Sequence, residues 1–301
     1  MRSRSRRLLA VLVATLALAG CGGGLPAGVD GNLTNDWSAM PLPKVVVPVA
    51  GACYPEPYTT VWTGDFYTVD CAQTHNTETA YVGTFSGADG QRSTPPALGS
   101  PALRTAYHGC QQGASAYLGG DWHSELVSLR LTRPSDHAWT GGARWYRCEL
   151  IHWASLFSSA IVDRGSLKGD LTGARSAAYG CLATTADPKG HIITGKSADC
   201  AAPHQAEYAG LYTAPDTPYP SDPAAEDKLE SDGCRRVVAN YLGFQDPGQW
   251  TGTSVGWWPF SFSEDQWNLG DRTIPCFAYA YTKSGAIVGS VKGIRNQTPK
   301  G

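Results

Sequence analysis

A nine-residue pattern occurs twice in this chain and constrains its fold more than any other feature. Residues 70–78 and 199–207 both read D-C-A-x-x-H-x-x-E. Aligning the two copies brings eight cysteines into register, with intervals of 18, 39 and 38 residues in the first set and 19, 34 and 42 in the second. Such near-equal spacing predicts one module written twice. We place the two repeats at residues 51–171 and 180–294.

The N-terminus predicts export and lipid anchoring. Four arginines within the first seven residues precede an apolar run, Leu8 to Leu18, that is too short for an ordinary membrane span. Leu18-Ala19-Gly20-Cys21 resembles the lipobox of bacterial lipoproteins, in which the cysteine is acylated with palmitate. We therefore expect a signal peptide at residues 1–20, lipidation of Cys21, and a flexible Gly/Pro-rich linker at residues 21–50.

The rest of the chain has the composition of a globular, mildly acidic protein. Removing residues 1–20 removes four arginines and no acidic residue, which leaves 20 basic and 26 acidic residues and a net charge of −6. This balance argues against nucleic acid as a partner. No later segment has 18 uninterrupted apolar residues, so contact with the membrane is expected through the lipid anchor alone.

Eight cysteines in an exported chain predict four disulfides, since thiols oxidise outside the cytoplasm. If each repeat closes its own four cysteines, three pairings per repeat are possible. In each repeat the third cysteine lies in a helical pattern and the fourth in a strand pattern, so that a disulfide between them would fasten helix to sheet. Over the other two patterns we favour four pairs: Cys53 with Cys71, Cys110 with Cys148, Cys181 with Cys200, and Cys234 with Cys276.

The predicted fold class is α+β: two tandem homologous disulfide-stabilised modules, each a small, mainly antiparallel sheet with one principal helix. Apolar residues recur at helical spacing from Leu103 to Tyr117 and from Cys234 to Tyr241. Strands are predicted from β-branched and aromatic content at residues 81–85, 145–153, 207–213 and 273–281. A further strand is expected to close each repeat and to end in Ser-x-Lys-Gly.

Four motifs that accompany the cysteines resemble the septum-formation domain of actinobacterial envelope proteins. They are C-x-x-P-H-x-x-E, Tyr-hydrophobic-Gly, W-x-x-G-D-R-x-x-x-C and G-S-x-K-G. The second repeat fits all four, whereas the first has Thr74 in place of the proline and Ala143 in place of the aspartate. The resemblance implies a place in the cell envelope and a link to septum formation, and it carries no established catalytic mechanism.

The His-x-x-Glu pairs are the first candidate site, formed by His75 with Glu78 and by His204 with Glu207. Imidazole and carboxylate groups can bind metals or transfer protons, which makes an envelope hydrolase or metal-dependent enzyme the alternative function. However, the cysteine of each motif is expected in a disulfide, and two ligands per repeat are too few for a zinc site. We interpret the histidines as structural and assign no catalytic residue and no metal.

Three tryptophans are the second candidate site. Trp250, Trp257 and Trp258 lie in an insert peculiar to the second repeat, and exposed tryptophans can stack on sugar rings or anchor a protein interface. They can equally fill a core that has few Leu and Ile residues. We predict a candidate binding surface there, whereas Trp139 and Trp267, which occupy matched positions, are expected in the core.

The sequence therefore predicts a lipid-anchored protein on the extracytoplasmic face of the cell membrane that is not an enzyme and needs no cofactor. The expected function is a binding module linked to septum formation or cell-wall processes. Its expected partner is an envelope protein or a cell-wall glycan.

Overall fold

The computed structural model describes residues 27, 46–55, 67–157, 165–173, 177–189, 191–220, 222–251, 254–260, 263–281 and 285–300. The predicted signal peptide, Cys21 and residues 21–45 of the predicted linker, apart from residue 27, lie outside these ranges. Residues 45–301 form one compact unit, and the division into two repeats stays a prediction. Within the part of the chain that the structure describes, no helix has the length and apolar character needed to cross a membrane.

The fold is a mixed α/β architecture with two antiparallel sheets. In chain order the elements are β1 (Cys53–Tyr54), β2 (Thr77–Thr84), α1 (Gly87–Gly90), α2 (Pro101–Leu118), β3 (Val127–Thr132), α3 (Asp136–Thr140), β4 (Trp145–His152), β5 (Cys181–Ala186), β6 (Ile192–Ala198), β7 (Ala206–Thr213), α4 (Pro223–Tyr241), β8 (Val255–Pro259), α5 (Glu264–Asn268) and β9 (Thr273–Ala280). The strand order is β1-β2-β4-β3 in the first sheet and β6-β5-β7-β9-β8 in the second. All pairings are antiparallel.

The two long helices begin at strong start signals. Ser100 caps α2 by accepting the amide N–H of Leu103, and Asp222 caps α4 by accepting that of Ala224. A proline follows each cap, at the position where its missing N–H and fixed φ favour a helix start. Helix α2 ends at Gly119, whose φ of 83° is left-handed, as expected of a glycine that terminates a helix.

Each long helix packs on its own sheet and is fastened there by a disulfide. Helix α2 is joined to β4 by Cys110–Cys148, and α4 is joined to β9 by Cys234–Cys276. The other two disulfides, Cys53–Cys71 and Cys181–Cys200, join the first strand of each sheet to the loop that carries the His-x-x-Glu motif. These four pairs are the ones that the sequence favours.

Residues 122–126 connect the N-terminal part of the chain to the second sheet. The amide N–H of Leu126 donates to the carbonyl of Ala177 (2.7 Å), and the hydroxyls of Ser124 and Tyr208 lie 3.0 Å apart. Leu126 packs with Tyr208 and Phe277 on the face of the second sheet opposite α4. This segment therefore packs a residue that precedes β3 of the first sheet against the second sheet.

The closing strand predicted for the second repeat is wrong, because residues 285–300 form turns apart from an isolated bridge between Ile287 and His204. In the first repeat the residues that lead up to Ser-x-Lys-Gly, 158–164, lie outside the described ranges, and residues 165–173 form turns. Both segments are rich in glycine and turn over a buried carboxylate, as described below, so that side-chain contacts replace strand pairing. Strands β1, β3, β5, β6 and β8 were not predicted from the sequence. Strands β5, β6 and β8 lack a clear period-two pattern, whereas β3 alternates apolar Val127, Leu129 and Leu131 with polar residues and could have been recognised.

Candidate functional site

The loop before each His-x-x-Glu motif is fixed by its own side chains. Asp70 Oδ1 accepts the amide N–H of Ala72, and Asp199 Oδ1 accepts that of Ala201, each at 2.9 Å. This is the short aspartate turn that Asp residues favour. Together with the disulfide of the next residue, the turn sets the position from which the histidine side chain enters the interior.

Both histidines use one ring nitrogen to hold this loop. His75 Nδ1 lies 2.9 Å from the carbonyl oxygen of Gln73, and His204 Nδ1 lies 2.8 Å from that of Ala202. Since a carbonyl only accepts, Nδ1 carries the proton and donates. The remaining nitrogen, Nε2, is buried in both histidines and has no hydrogen-bond partner among the described residues. Each histidine thus donates a hydrogen bond to the backbone carbonyl two residues earlier and holds the loop in place.

A buried carboxylate joins three motifs in each half of the chain. Glu78 Oε1 accepts the hydroxyls of Tyr117 and Ser166, and its Oε2 accepts the amide N–H of Leu167 at 2.7 Å. Tyr117 ends α2 in Tyr-Leu-Gly, whereas Ser166 and Leu167 belong to the closing Gly-Ser-x-Lys-Gly turn. We call this arrangement the glutamate clamp.

The C-terminal half contains a second glutamate clamp with the same geometry. Glu207 Oε1 accepts the hydroxyls of Tyr241 (2.5 Å) and Ser290, and Oε2 accepts the amide N–H of Val291 at 2.7 Å. Glu207 is 5% exposed and Glu78 is 1% exposed, so these bonds are shielded from water. Three of the four shared motifs thus each supply one part of a clamp.

The tyrosines of the clamps are held as hydrogen-bond donors. Burial, together with the hydrogen bond to Glu78, raises the pKa of Tyr117 to about 12. Burial and the bond to Glu207 likewise raise the pKa of Tyr241 well above its ordinary value. Both phenols therefore stay protonated at physiological pH.

The same residues include possible metal ligands, but most of their ligand atoms are already in disulfides or hydrogen bonds. Potential ligand atoms of Cys53, His75 and Glu78 lie within 4.8 Å of one another, as do those of Cys181, His204 and Glu207. The two sulfurs are in disulfides, and each carboxylate already accepts three donors. Only the histidine Nε2 atom remains uncommitted in each cluster, whereas a structural zinc site uses four ligands.

The structure does not bring the three candidate tryptophans to one surface. Trp257 and Trp258 are neighbours on β8, so their side chains point to opposite faces of the sheet. Trp257 and the buried Trp250 make an edge-to-face contact (5.6 Å) on the face that carries α4. Trp258 packs on the other face against Phe277 (5.3 Å) and remains half-buried.

The matched tryptophans lie in the core, each beneath an arginine. Trp139 is 1% exposed and Trp267 is fully buried. The guanidinium carbons of Arg144 and Arg272 lie 4.1 Å and 3.9 Å from the respective ring centroids, a cation–π geometry. The W-x-x-G-x-R motif is therefore a packing unit.

A buried charge cluster that the sequence analysis missed joins the N-terminal part of the chain to the second sheet. His123 Nδ1 lies 2.6 Å from Asp121 Oδ1, and Nε2 lies 3.0 Å from Asp271 Oδ1. Tyr107 donates its hydroxyl to Asp271 Oδ2 (3.3 Å). Burial lowers the pKa of His123, but hydrogen bonds to Asp121 and Asp271 outweigh this effect and raise the pKa to about 9. The sequence held one clue to this cluster: the aspartate of the second W-x-x-G-D-R motif, Asp271, is replaced by Ala143 in the first repeat, as expected of a residue with a role in one repeat only.

This cluster predicts that stability falls as pH rises from 6.5 to about 9. The pKa of His123 is 6.5 in an ordinary setting and about 9 in the folded protein. Its contribution is therefore complete below pH 6.5 and is lost as pH rises through the folded value, with a magnitude on the order of 3 kcal/mol. Urea unfolding midpoints across this range measure the effect. His123→Gln should flatten the profile, and an unchanged slope in that variant would contradict the assignment.

Comparison with known proteins identifies one family. A family model described as septum formation matches residues 50–276, which include both His-x-x-Glu motifs and all eight disulfide cysteines. No curated protein and no solved structure matches the chain significantly.

Proposed function

Because the chain belongs to the septum-formation family, we propose that it is a lipid-anchored envelope protein that binds a partner during septum formation and catalyses no reaction. The family suggests a septum-related role in the envelope. The four disulfides are compatible with an extracytoplasmic location. The partner is an envelope protein or a cell-wall glycan.

The glutamate clamp is the observation that carries the non-catalytic part of this proposal. Glu78 and Glu207 are buried and hold the ends of the long helices to the closing turns. A general base needs access to the proton that it removes, and Glu78 and Glu207 are both buried beneath three donors. Motifs of this kind support a scaffold that presents its surface to a partner.

The rival function is an envelope hydrolase or metal-dependent enzyme that uses His75, Glu78, His204 and Glu207. One observation favours it: both histidines keep an unpartnered Nε2 atom close to a carboxylate. Purified protein that released soluble fragments from envelope material, or that bound metal through these nitrogens, would support this rival.

The two halves are proposed to be tandem copies of one module. Apart from β6, the strand order of the second sheet corresponds element by element to that of the first. Each half has two disulfides at corresponding positions and one glutamate clamp. A gene duplication accounts for this agreement in sequence spacing, topology and side-chain contacts together.

Acylation of Cys21 is proposed to hold the protein at the membrane. Cys21→Ser is expected to move the protein from the membrane fraction to the soluble extracytoplasmic fraction and to abolish labelling by a palmitate analogue, because a lone polar linker gives no membrane affinity. Fractionation and metabolic labelling of expressing cells measure both effects. A Cys21→Ser protein that remained in the membrane fraction would refute the lipid anchor, and loss of septal function in the released protein would support the envelope role.

A further inference from the structure

The first sheet has an edge strand that lies open along a cleft. Strand β3 pairs with β4 on one side, and no other described strand pairs with its second side. A cleft of about 740 Å³ is lined by the consecutive residues 128–133. Since successive side chains of a strand point to opposite faces, the cleft follows the edge of β3, and it also extends over one face of the sheet to Ile151 and Trp153.

Strand β3 itself has no proline, lysine or bulge to prevent strand addition, and the first proline, Pro134, lies two residues after its end. Natural edge strands are commonly blocked by proline, lysine, bulges or a covering element. The corresponding edge strand of the second sheet, β8, ends in Pro259. Strand β3 reads Val-Ser-Leu-Arg-Leu-Thr, and its one charged residue, Arg130, is drawn to the buried Glu149 at 2.7 Å.

The opposite wall of the cleft is apolar at its base and cationic at its rim. Residues of α5 and of the start of α2 form it, including Leu103, Arg104 and Leu269. Leu98, at the entrance, is 82% exposed. Arg104, Arg130 and Arg133 line the cleft together with one carboxylate, that of Asp265, and Arg130 is already paired with Glu149.

Arg104 is available to a ligand. It is exposed, and its Nε donates to the carbonyl of Asn268 (2.8 Å) while no carboxylate among the described residues pairs with its guanidinium. Arg104 therefore lines the cleft with guanidinium donors to spare for a carboxylate.

We propose that this cleft binds an extended, acidic segment of a partner polypeptide as an added strand next to β3. The backbone of the segment pairs with the free edge of β3, its apolar side chains enter the cleft, and its carboxylates meet the arginine rim. Six residues of β3 extend over about 20 Å, enough for a segment of similar length. This inference rests on the proposed binding function and names the class of its partner.

The test uses the soluble protein from residue 22 onward and a fluorescent peptide of alternating Glu and Val residues. Binding is expected, with slowed hydrogen exchange at backbone amides of residues 127–132. Arg104→Glu should weaken binding about tenfold, which corresponds to about 1.4 kcal/mol, whereas Arg92→Glu, the same change outside the cleft, should leave it within about twofold. A peptide with alternate backbone nitrogens methylated should not bind, because it cannot complete the strand pairing.

The proposal is overturned if the peptide does not bind, if N-methylation or Arg104→Glu has no effect, or if cell-wall glycan fragments protect the same amides instead. Capture of envelope components from extracts separates failure of the β3 assignment from failure of the proposed binding function. A protein that captures envelope components but ignores the peptide loses the β3 assignment alone, whereas a protein that does neither loses the proposed binding function as well.

Discussion

Full reduction of the four disulfides is expected to unfold the protein at room temperature. The disulfides close loops of 18, 38, 19 and 42 residues. Cross-links of this span each stabilise a fold by about 3–4 kcal/mol through the unfolded chain. Their sum reaches the upper part of the range of about 5–15 kcal/mol that is typical of whole domains.

Near-ultraviolet circular dichroism in excess reductant measures this outcome, with thiol titration to show that all eight cysteines have reacted. Loss of the aromatic signal is expected because Trp139 and Trp267 lie in cores that the helix–sheet disulfides hold together. A native spectrum with eight titrated thiols would mean that hydrophobic packing alone maintains the fold.

Glu207→Ala is expected to lower the free energy of unfolding by about 3–5 kcal/mol. The substitution removes the acceptor of Tyr241, Ser290 and the amide of Val291 at once. The amide of Val291 is buried, and a buried donor that loses its partner incurs a desolvation penalty that the unfolded chain does not have. Glu78→Ala is expected to act in the same direction, since Glu78 makes the corresponding three bonds.

Chemical denaturation of the variant and of two controls measures this effect. Asp227→Ala removes an exposed carboxylate from α4 and should change stability by no more than about 0.5 kcal/mol. Glu207→Gln keeps the shape of the side chain and one acceptor, so the free energy of unfolding should fall by an amount between those of the other two variants. Equal stability of Glu207→Ala and Asp227→Ala would show that the clamp does not hold the fold.

The sequence was informative where a pattern had one structural solution. Repeated cysteine spacing together with the helix and strand patterns led to the four disulfides that the structure contains, and the helical periodicity located α2 and α4. Strands β5, β6 and β8 were missed because their apolar and polar side chains alternate poorly, whereas β3 was missed although Val127, Leu129 and Leu131 alternate with polar residues. The closing segment of the second repeat was misassigned as a strand, since the sequence alone does not reveal that Ser290 turns toward a buried carboxylate.

The site was predicted only in part. The expectation that the histidines hold their loop agrees with the bonds from His75 and His204 to backbone carbonyls. The glutamate clamp joins each glutamate to a tyrosine 39 or 34 residues away and to a serine 88 or 83 residues away, and such separations do not show which side chains meet. The His123 cluster depends on Asp271 approaching from another part of the chain, and the β3 cleft depends on an edge that only the assembled sheet defines.

One substitution separates the structural from the catalytic role of the His-x-x-Glu motif. Asparagine can place its side-chain amide where the Nδ1–H group of histidine lies, and it has no counterpart of Nε2. A protein that carries both His75→Asn and His204→Asn should therefore keep the bonds to Gln73 and Ala202 while losing the two uncommitted nitrogens. Cooperative unfolding close to that of the wild type would show that it is folded.

The most direct measurement is the release of soluble fragments from purified envelope material by the wild-type protein and by this double variant, with bound metal determined in the same samples. Our account predicts no release above the buffer control and no stoichiometric metal for either protein. Release or metal binding by the wild type that the folded double variant lacks would contradict it, and would make these histidines part of an active site.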